Sequence, residues 1–377
     1  MGRHILHLLT HNRAWRQGLS LALALVAAAC LLWSCVPPGP SGQEEGKRAP
    51  AQAAAPAGRL GGSDRLSAWI ADWDLTRGLA EWRAHPGLFT SVRVFAAYFD
   101  ENDHPTLAPA WASALGNDAR SVFGSVPALL TVVNDVTTVS GKGNKLKDPE
   151  LVRRLVSSPK ARADHIAELI RLTERYHFAG LEIDYENVTA PVWPEFSVFV
   201  SELQTATAAR GLALSVLLQP QRRYLSAPMP AGPDYVLMGY NLFGSHSGPG
   251  PKATPKFLAE QADSLRAIGL LDATALALAT GGFDWTEGKD AKQLVEVEAD
   301  SLIAQKKLQP NRSALDGYQV SRYRDDASKD HEVWHADAAT FDTLWQAARS
   351  AGFSRLVVWR LGGNAPALFD WLATLKH

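Results

Sequence analysis

Eight short β-rich runs alternating with stretches of helical periodicity constrain this chain more than any other feature. The runs are residues 66–73, 91–99, 128–134, 180–186, 213–218, 235–241, 275–281 and 355–361, with amphipathic stretches such as 162–176, 196–210, 255–268 and 339–351 between them. Parallel partner strands need a crossover, so alternation of this kind builds βαβ units, and eight units in one domain predict a closed (β/α)8 TIM barrel. A doubly wound open sheet is the structural alternative, but it usually has fewer strands and a Gly-rich phosphate turn after the first. Here the first run leads into Ala71-Asp72-Trp73-Asp74, with no such turn. The stretch between the seventh and eighth runs is unusually long and holds two further β-like pieces, 317–323 and 332–335. It is expected to be a small insertion beside the barrel mouth.

The fourth run carries the chemistry. Residues two apart in a strand face the same side, so Glu182, Asp184 and Glu186 project together while Leu181, Ile183 and Tyr185 face the other way. The helix ring around a barrel takes Leu and Ile, which leaves the carboxylates pointing inward, in order, toward the C-terminal end where barrel active sites lie. Three acids in a partly buried space repel one another, and at least one pKa rises, as a general acid working near neutral pH requires. Phe178, Leu181 and Ile183 argue against a solvated acidic edge. A cation site would need more ligands, and no His-rich or Asp-rich segment accompanies the run, so neither metal nor cofactor is expected.

The stretch Phe178-Ala179-Gly180-Leu181-Glu182-Ile183-Asp184-Tyr185-Glu186-Asn187-Val188 resembles the fourth-strand signature of glycoside hydrolase family 18, Asp-x-x-Asp-x-Asp-x-Glu. It is most similar to the bacterial branch of spore-cortex-lytic and chitinase-like proteins, whose signature often ends Ile-Asp-Phe/Tyr-Glu-Asn. Three further stretches agree in order. Asp234-Tyr235-Val236-Leu237-Met238-Gly239-Tyr240-Asn241 resembles the sixth-strand Met-x-Tyr-Asp segment. Val333-Trp334 with Ala336-Asp337-Ala338 resembles the segment before the last helix, and Val358-Trp359-Arg360-Leu361-Gly362 resembles the eighth-strand ending with its Trp floor. Together they cover nearly all of the chain beyond the N-terminal segment.

The resemblance implies cleavage of β-1,4 links beside an N-acetylated sugar by substrate assistance, with one protein acid/base and the acetamido oxygen as nucleophile. Glu186 would protonate the leaving oxygen and later deprotonate water. Asp184 would accept from the acetamido N–H, Tyr240 would donate to the acetamido oxygen, and Trp359 would floor the distorted sugar. Met238 and Asn241 belong to the same sugar-facing segment. The sequence departs from the pattern in three places. Ala179 replaces the first Asp, Glu182 the second, and Asn241 the Asp of the sixth strand. Glu182 keeps a carboxyl that can still couple to Asp184; Asn241 can still bond a sugar hydroxyl or Glu186 but adds no charge.

Gln219, Tyr98, Asn134, Trp285 and Trp73 end the fifth, second, third, seventh and first runs. For each, sugar contact and packing are both open readings. His246 lies on the loop after the sixth run, exposed or at a substrate edge.

The N-terminus reads as an export signal. Arg3, Arg13 and Arg16 precede an apolar run over 19–33, short for a spanning helix of about 20 residues. The ending Leu32-Trp33-Ser34-Cys35 resembles the lipobox of bacterial lipoproteins, and Ala27-Ala28-Ala29-Cys30 is a competing candidate; an uncleaved membrane anchor is the remaining alternative. Residues 1–35 are thus a leader, 36–63 a Pro/Ala/Gly-rich linker, and 64–377 the barrel domain. Both cysteines fall in the leader, so no disulfide or thiolate metal site is expected beyond it. A net charge of -1 gives no reason for a nucleic-acid partner.

The expectation is a monomeric glycosidase, exported and lipid-anchored to the bacterial envelope, acting on peptidoglycan or a chitin-like polymer. The alternative is a carbohydrate-binding protein of the same fold that has lost catalysis. Such relatives typically replace the terminal Glu, and Glu186 is retained here.

Overall fold

A computed structural model describes residues 65–138, 143–220 and 228–375. The leader with Cys30 and Cys35 and the linker lie outside the described residues. Among the described residues no helix is long and apolar enough to cross a membrane.

Eight parallel strands form the barrel: β1 Leu66–Ala71, β2 Ser91–Phe99, β3 Ala128–Val136, β4 Gly180–Asp184, β5 Ala213–Leu218, β6 Asp234–Met238, β7 Thr274–Ala279 and β8 Leu356–Leu361. Each pairs with its successor, and β1 pairs with both β2 and β8, which closes the ring. The expected (β/α)8 TIM barrel is therefore the fold.

The strand sequences explain the two-sided burial. Outward-facing residues such as Leu130, Leu181, Ile183, Leu214 and Leu276 pack against the helices in one apolar cluster. A second cluster inside the ring holds Trp69, Phe95, Val133, Leu217, Val236, Met238, Tyr240, Val357 and the alanines of β7. Strands buried on both faces read as near-continuous apolar runs, as these do. Helix starts follow local chemistry. Ser158 Oγ accepts from Ala161 N at 3.1 Å ahead of helix Pro159–Arg175, and Thr254 Oγ1 accepts from Phe257 N at 3.1 Å ahead of Pro255–Ala267. Each cap precedes a proline whose fixed φ suits the first helical position.

Three barrel strands end earlier than expected. β1 stops at Ala71 with a 3-10 turn over Asp72–Asp74, β4 stops at Asp184, and β6 stops at Met238. The seventh strand is also corrected. β7 ends at Ala279, and Gly281, at φ +61°, turns the chain into a separate sheet. That sheet has five antiparallel strands ordered Asp290–Leu294, Gly281–Thr286, Asp330–Ala336, Gln319–Arg324 and Asn311–Arg312, with helix Glu296–Lys306 in the same insertion. The two expected β-pieces are its second pair; the hairpin 281–294 is additional.

Candidate active site

The three carboxylates of the fourth run lie at three depths. Glu182 is deepest and fully buried, with its oxygens surrounded by donors. Trp69 Nε1 donates to Oε1 at 2.8 Å and Thr131 Oγ1 at 2.9 Å, while Ser215 Oγ donates to Oε2 at 2.9 Å. The Arg93 guanidinium forms an ion pair with the same Oε2 and donates to Ser67 Oγ and Ser215 Oγ at 3.2 and 3.0 Å. A buried ion pair persists only when its remaining hydrogen-bonding capacity is met, as here. Glu182 was expected at the substrate; it is instead part of the packed barrel floor, committed to Arg93 and not hydrogen-bonded to Asp184.

Asp184 ends β4 one layer higher and is buried. Its Oδ2 lies 3.6 Å from Lys147 Nζ, while Oδ1 has no hydrogen-bond partner among the described residues. Burial first, then the charges of Glu186 and Asp135, push its pKa up to about 7 against the opposing pull of Lys147. Glu186 lies just beyond the strand end, and neighbours hold both its backbone and its carboxylate. Asn134, itself fully buried, accepts from Glu186 N at 2.9 Å and donates to Glu186 O at 2.9 Å. Gln219 Nε2 donates to Glu186 Oε2 at 2.7 Å, and its Oε1 accepts from Asn187 N at 2.9 Å. Lys147 Nζ reaches Glu186 Oε1 at 2.9 Å.

Lys147 joins a third carboxylate as well. Its Nζ is 3.9 Å from Asp135 Oδ1, and its backbone N donates to the same oxygen at 2.7 Å. Burial would lower the pKa of this lysine, but the charges of Asp184, Glu186 and Asp135 outweigh it and hold the ammonium firmly protonated.

Aromatic rings surround the acids. Tyr240 is buried, and its ring lies stacked with Trp359 at a 6.3 Å centroid separation. Burial, reinforced by the charges of Asp184 and Glu186, holds its phenol protonated, so it is a hydrogen-bond donor at any ordinary pH. Trp359 precedes a cis peptide to Arg360 and meets Trp69, Phe95 and Trp73 at 5.5, 5.3 and 6.3 Å. Trp73 is the exposed member at 57%. Tyr98 donates to Asp72 Oδ1 at 2.5 Å beside this group.

The structure thus brings together Glu186, Asp184, Tyr240, Trp359, Gln219, Tyr98 and Trp73 at one end of the barrel. Asn134 acts through Glu186 by gripping its backbone. Met238 packs inside the ring beneath Tyr240. Asn241 is exposed at φ +68°, and His246 is exposed on the same loop. Trp285 does not end the seventh barrel strand. It is fully buried in the insertion sheet, and its Nε1 donates to Ser247 O at 3.1 Å, so its visible role is to hold the loop after β6. Sequence reasoning missed Lys147, Asp135 and Asp72. Asp135 follows Asn134 on the third strand and carried a usable signal. Lys147 did not, because a lysine in a polar loop is ordinarily solvated. No cluster of three or more His, Cys, Asp or Glu among the described residues is arranged to hold a metal.

No family model matches the chain. It is 23% identical over 266 residues to YdhD of Bacillus subtilis, provisionally named a sporulation-specific glycosylase, covering 65% of this chain and 61% of that protein. It is also 23% identical over 257 residues to the cortical fragment-lytic enzyme of the same organism, covering 61% of this chain and 56% of the relative. The chain therefore spans less than two thirds of the length of either relative. Among solved structures, a chitinase from Chromobacterium violaceum superposes with a TM-score of 0.70 at 19% identity, over 83% of this chain and 99% of that one. At that identity the likeness concerns the fold.

Proposed function

We propose that the protein is a glycoside hydrolase that cleaves β-1,4-linked N-acetylhexosamine polymers by substrate-assisted, retaining catalysis. The observation that carries the reading is Asp184 Oδ1, a buried oxygen with no donor among the described residues, in a group with Glu186 and a Tyr240 phenol that keeps its proton to donate. Buried polar atoms are normally paired, so an orphan of this kind at the C-terminal end of a barrel strand is a place for a ligand donor. An acetamido group offers an N–H to Asp184 and a carbonyl oxygen to Tyr240, and the two side chains grip opposite ends of one amide.

The steps follow from that pose. Trp359 stacks under the sugar, and the phenol and the carboxyl turn the acetamido oxygen toward the anomeric carbon. That oxygen forms a bond to the carbon as the glycosidic C–O bond breaks, and Glu186 gives its proton to the leaving oxygen. The Asp184 carboxyl stabilises the cyclic oxazolinium-type cation. Glu186 then takes a proton from water, which attacks the same carbon and restores the acetamido group with net retention.

Relatives named as cortical fragment-lytic enzyme and chitinase support the substrate class, peptidoglycan or chitin-like glycan. The lipobox-like Cys35 motif supports an envelope-anchored enzyme. The test is incubation of the purified protein with chitooligosaccharides and with peptidoglycan beside a Glu186→Gln variant. Sugar release with the retained anomer, reduced on the order of 10²–10⁴-fold in the variant, is expected. Tight binding with no release by either protein overturns catalysis and favours the carbohydrate-binding alternative.

A further inference from the structure

The pairing of Glu186 does not suit a general acid. Its two oxygens each face a donor, Lys147 Nζ at 2.9 Å and Gln219 Nε2 at 2.7 Å. An ionised carboxylate accepts only, whereas a protonated one must turn one oxygen into a donor. A protonated Glu186 would therefore set its own O–H against an N–H. The arrangement seen is that of a base, and an acid needs one of the two donors to leave.

Gln219 is the fixed one, because its other end is held by the Asn187 backbone N–H. Lys147 is free to shift, since two further acceptors stand beside it: Asp184 Oδ2 at 3.6 Å and Asp135 Oδ1 at 3.9 Å. Its ammonium lies over the Phe95 ring, 5.6 Å from Nζ to centroid, and no described backbone group accepts from it. We propose that Lys147 is a positioning residue for the acid/base. Its ammonium sits on Glu186 and crosses to Asp184 and Asp135 when the bridging oxygen of a glycan arrives at Glu186 Oε1. The inference rests on Glu186 being the acid/base.

The exchange conserves charge. One proton leaves the Asp184 carboxyl and one arrives at Glu186, while the ammonium passes the other way. Asp184 is then the carboxylate that a cationic oxazolinium-type intermediate needs, with Lys147 and Asp135 at its side. The other titratable groups facing the site are Asp72 on the turn after β1, Tyr98 on β2, which donates to Asp72, and Tyr240 after β6. Both phenols are held protonated, so neither supplies a limb of the pH profile.

The experiment compares the parent with Lys147→Met and Lys147→Arg on chitooligosaccharides across pH. The kcat/KM profile reports the free enzyme and kcat the complex. An opposite charge beside a carboxylate lowers its pKa by about one to three pH units, so Lys147→Met should move the basic limb of kcat/KM upward by about one unit or more. The basic limb of kcat should stay in place, and Lys147→Arg should restore the parent profile. Activity that falls equally at every pH, with both limbs unmoved and melting temperatures matched, would make Lys147 a structural prop and overturn the proposal. A readout independent of turnover is the ¹³C carboxyl titration of Glu186 in the ligand-free protein, assigned by its loss in Glu186→Gln. Its midpoint should rise in Lys147→Met, and an unmoved midpoint overturns the pairing. A midpoint raised in Lys147→Met, in a protein whose parent releases no sugar, supports the charge pairing and counts against the glycosidase reading alone.

Discussion

Asp184 and Glu186 sit two residues apart on one face, yet their surroundings assign them different states. Glu186 reaches past the strand end into a setting with two donors, whereas Asp184 is enclosed, with one oxygen unpaired. Enclosure penalises the charged form, so Asp184 makes the stability of the fold depend on pH. The folded carboxyl titrates near 7 and its ordinary value is 3.8, so between those values the native state binds more protons than the unfolded chain. The native protein therefore carries no penalty from Asp184 below about pH 4. It carries a growing one as pH rises, complete above about pH 7. Asp184→Asn cannot ionise, so its melting temperature should match the parent near pH 4 and exceed it near pH 8, at the expense of activity. Calorimetry at the two pH values checks this, and an Asn variant less stable than the parent at pH 8 would contradict it. The inward set of acids was legible from period-two spacing alone. Their differing surroundings were not, because these depend on Lys147, Asp135 and Arg93, which approach from other strands and loops.

At the scale of elements, strand positions were legible because apolar runs are local signals, whereas helices Pro159–Arg175 and Trp193–Ala208 begin three residues before the expected 162 and 196. The strand ends were less legible, since side chains at a barrel mouth stay functional after ladder pairing stops, and the alternation simply runs on through Glu186 and Tyr240. The hairpin 281–294 was hidden for a related reason. Gly281-Gly282 continues the run of β7 without a polar break, and the left-handed conformation that separates the two sheets belongs to the backbone. One glycine carries more structural weight than its sequence suggests. Gly180 opens β4, and a Cβ there would lie 2.2 Å from Ala213 O, a ladder carbonyl of β5 with no room to withdraw. Gly180→Ala should therefore force β4 away from β5 and cost about 1–3 kcal/mol, the usual range for overpacking. Thermal or denaturant melting of the variant measures it. Because the displaced strand carries Asp184 and leads into Glu186, sugar turnover should fall by more than the folded fraction does. An Ala variant with parental stability would show that the two strands tolerate separation.

For the whole molecule, the barrel with its insertion sheet accounts for the described part of the chain, and we propose that the N-terminal segment decides where it works. The chemistry proposed for it is lipid attachment. A thiol at the end of a short apolar run is the group that accepts a diacylglycerol, and cleavage before it would make that cysteine the mature N-terminus. Two acyl chains hold a protein at a bilayer far more firmly than one, at roughly 0.8 kcal/mol for each buried CH₂. Cys35 is the proposed site because the Pro/Gly/Ala-rich stretch starts right after it, whereas Cys30 is followed by more of the apolar run. Expression of the full chain in a bacterium fed labelled palmitate should place label in the protein and the protein in the membrane fraction. Cys35→Ser should lose both, while Cys30→Ser should keep both. The opposite pattern would move the attachment to Cys30. Membrane retention without label in either variant would mean that the apolar run itself stays in the bilayer as an uncleaved anchor.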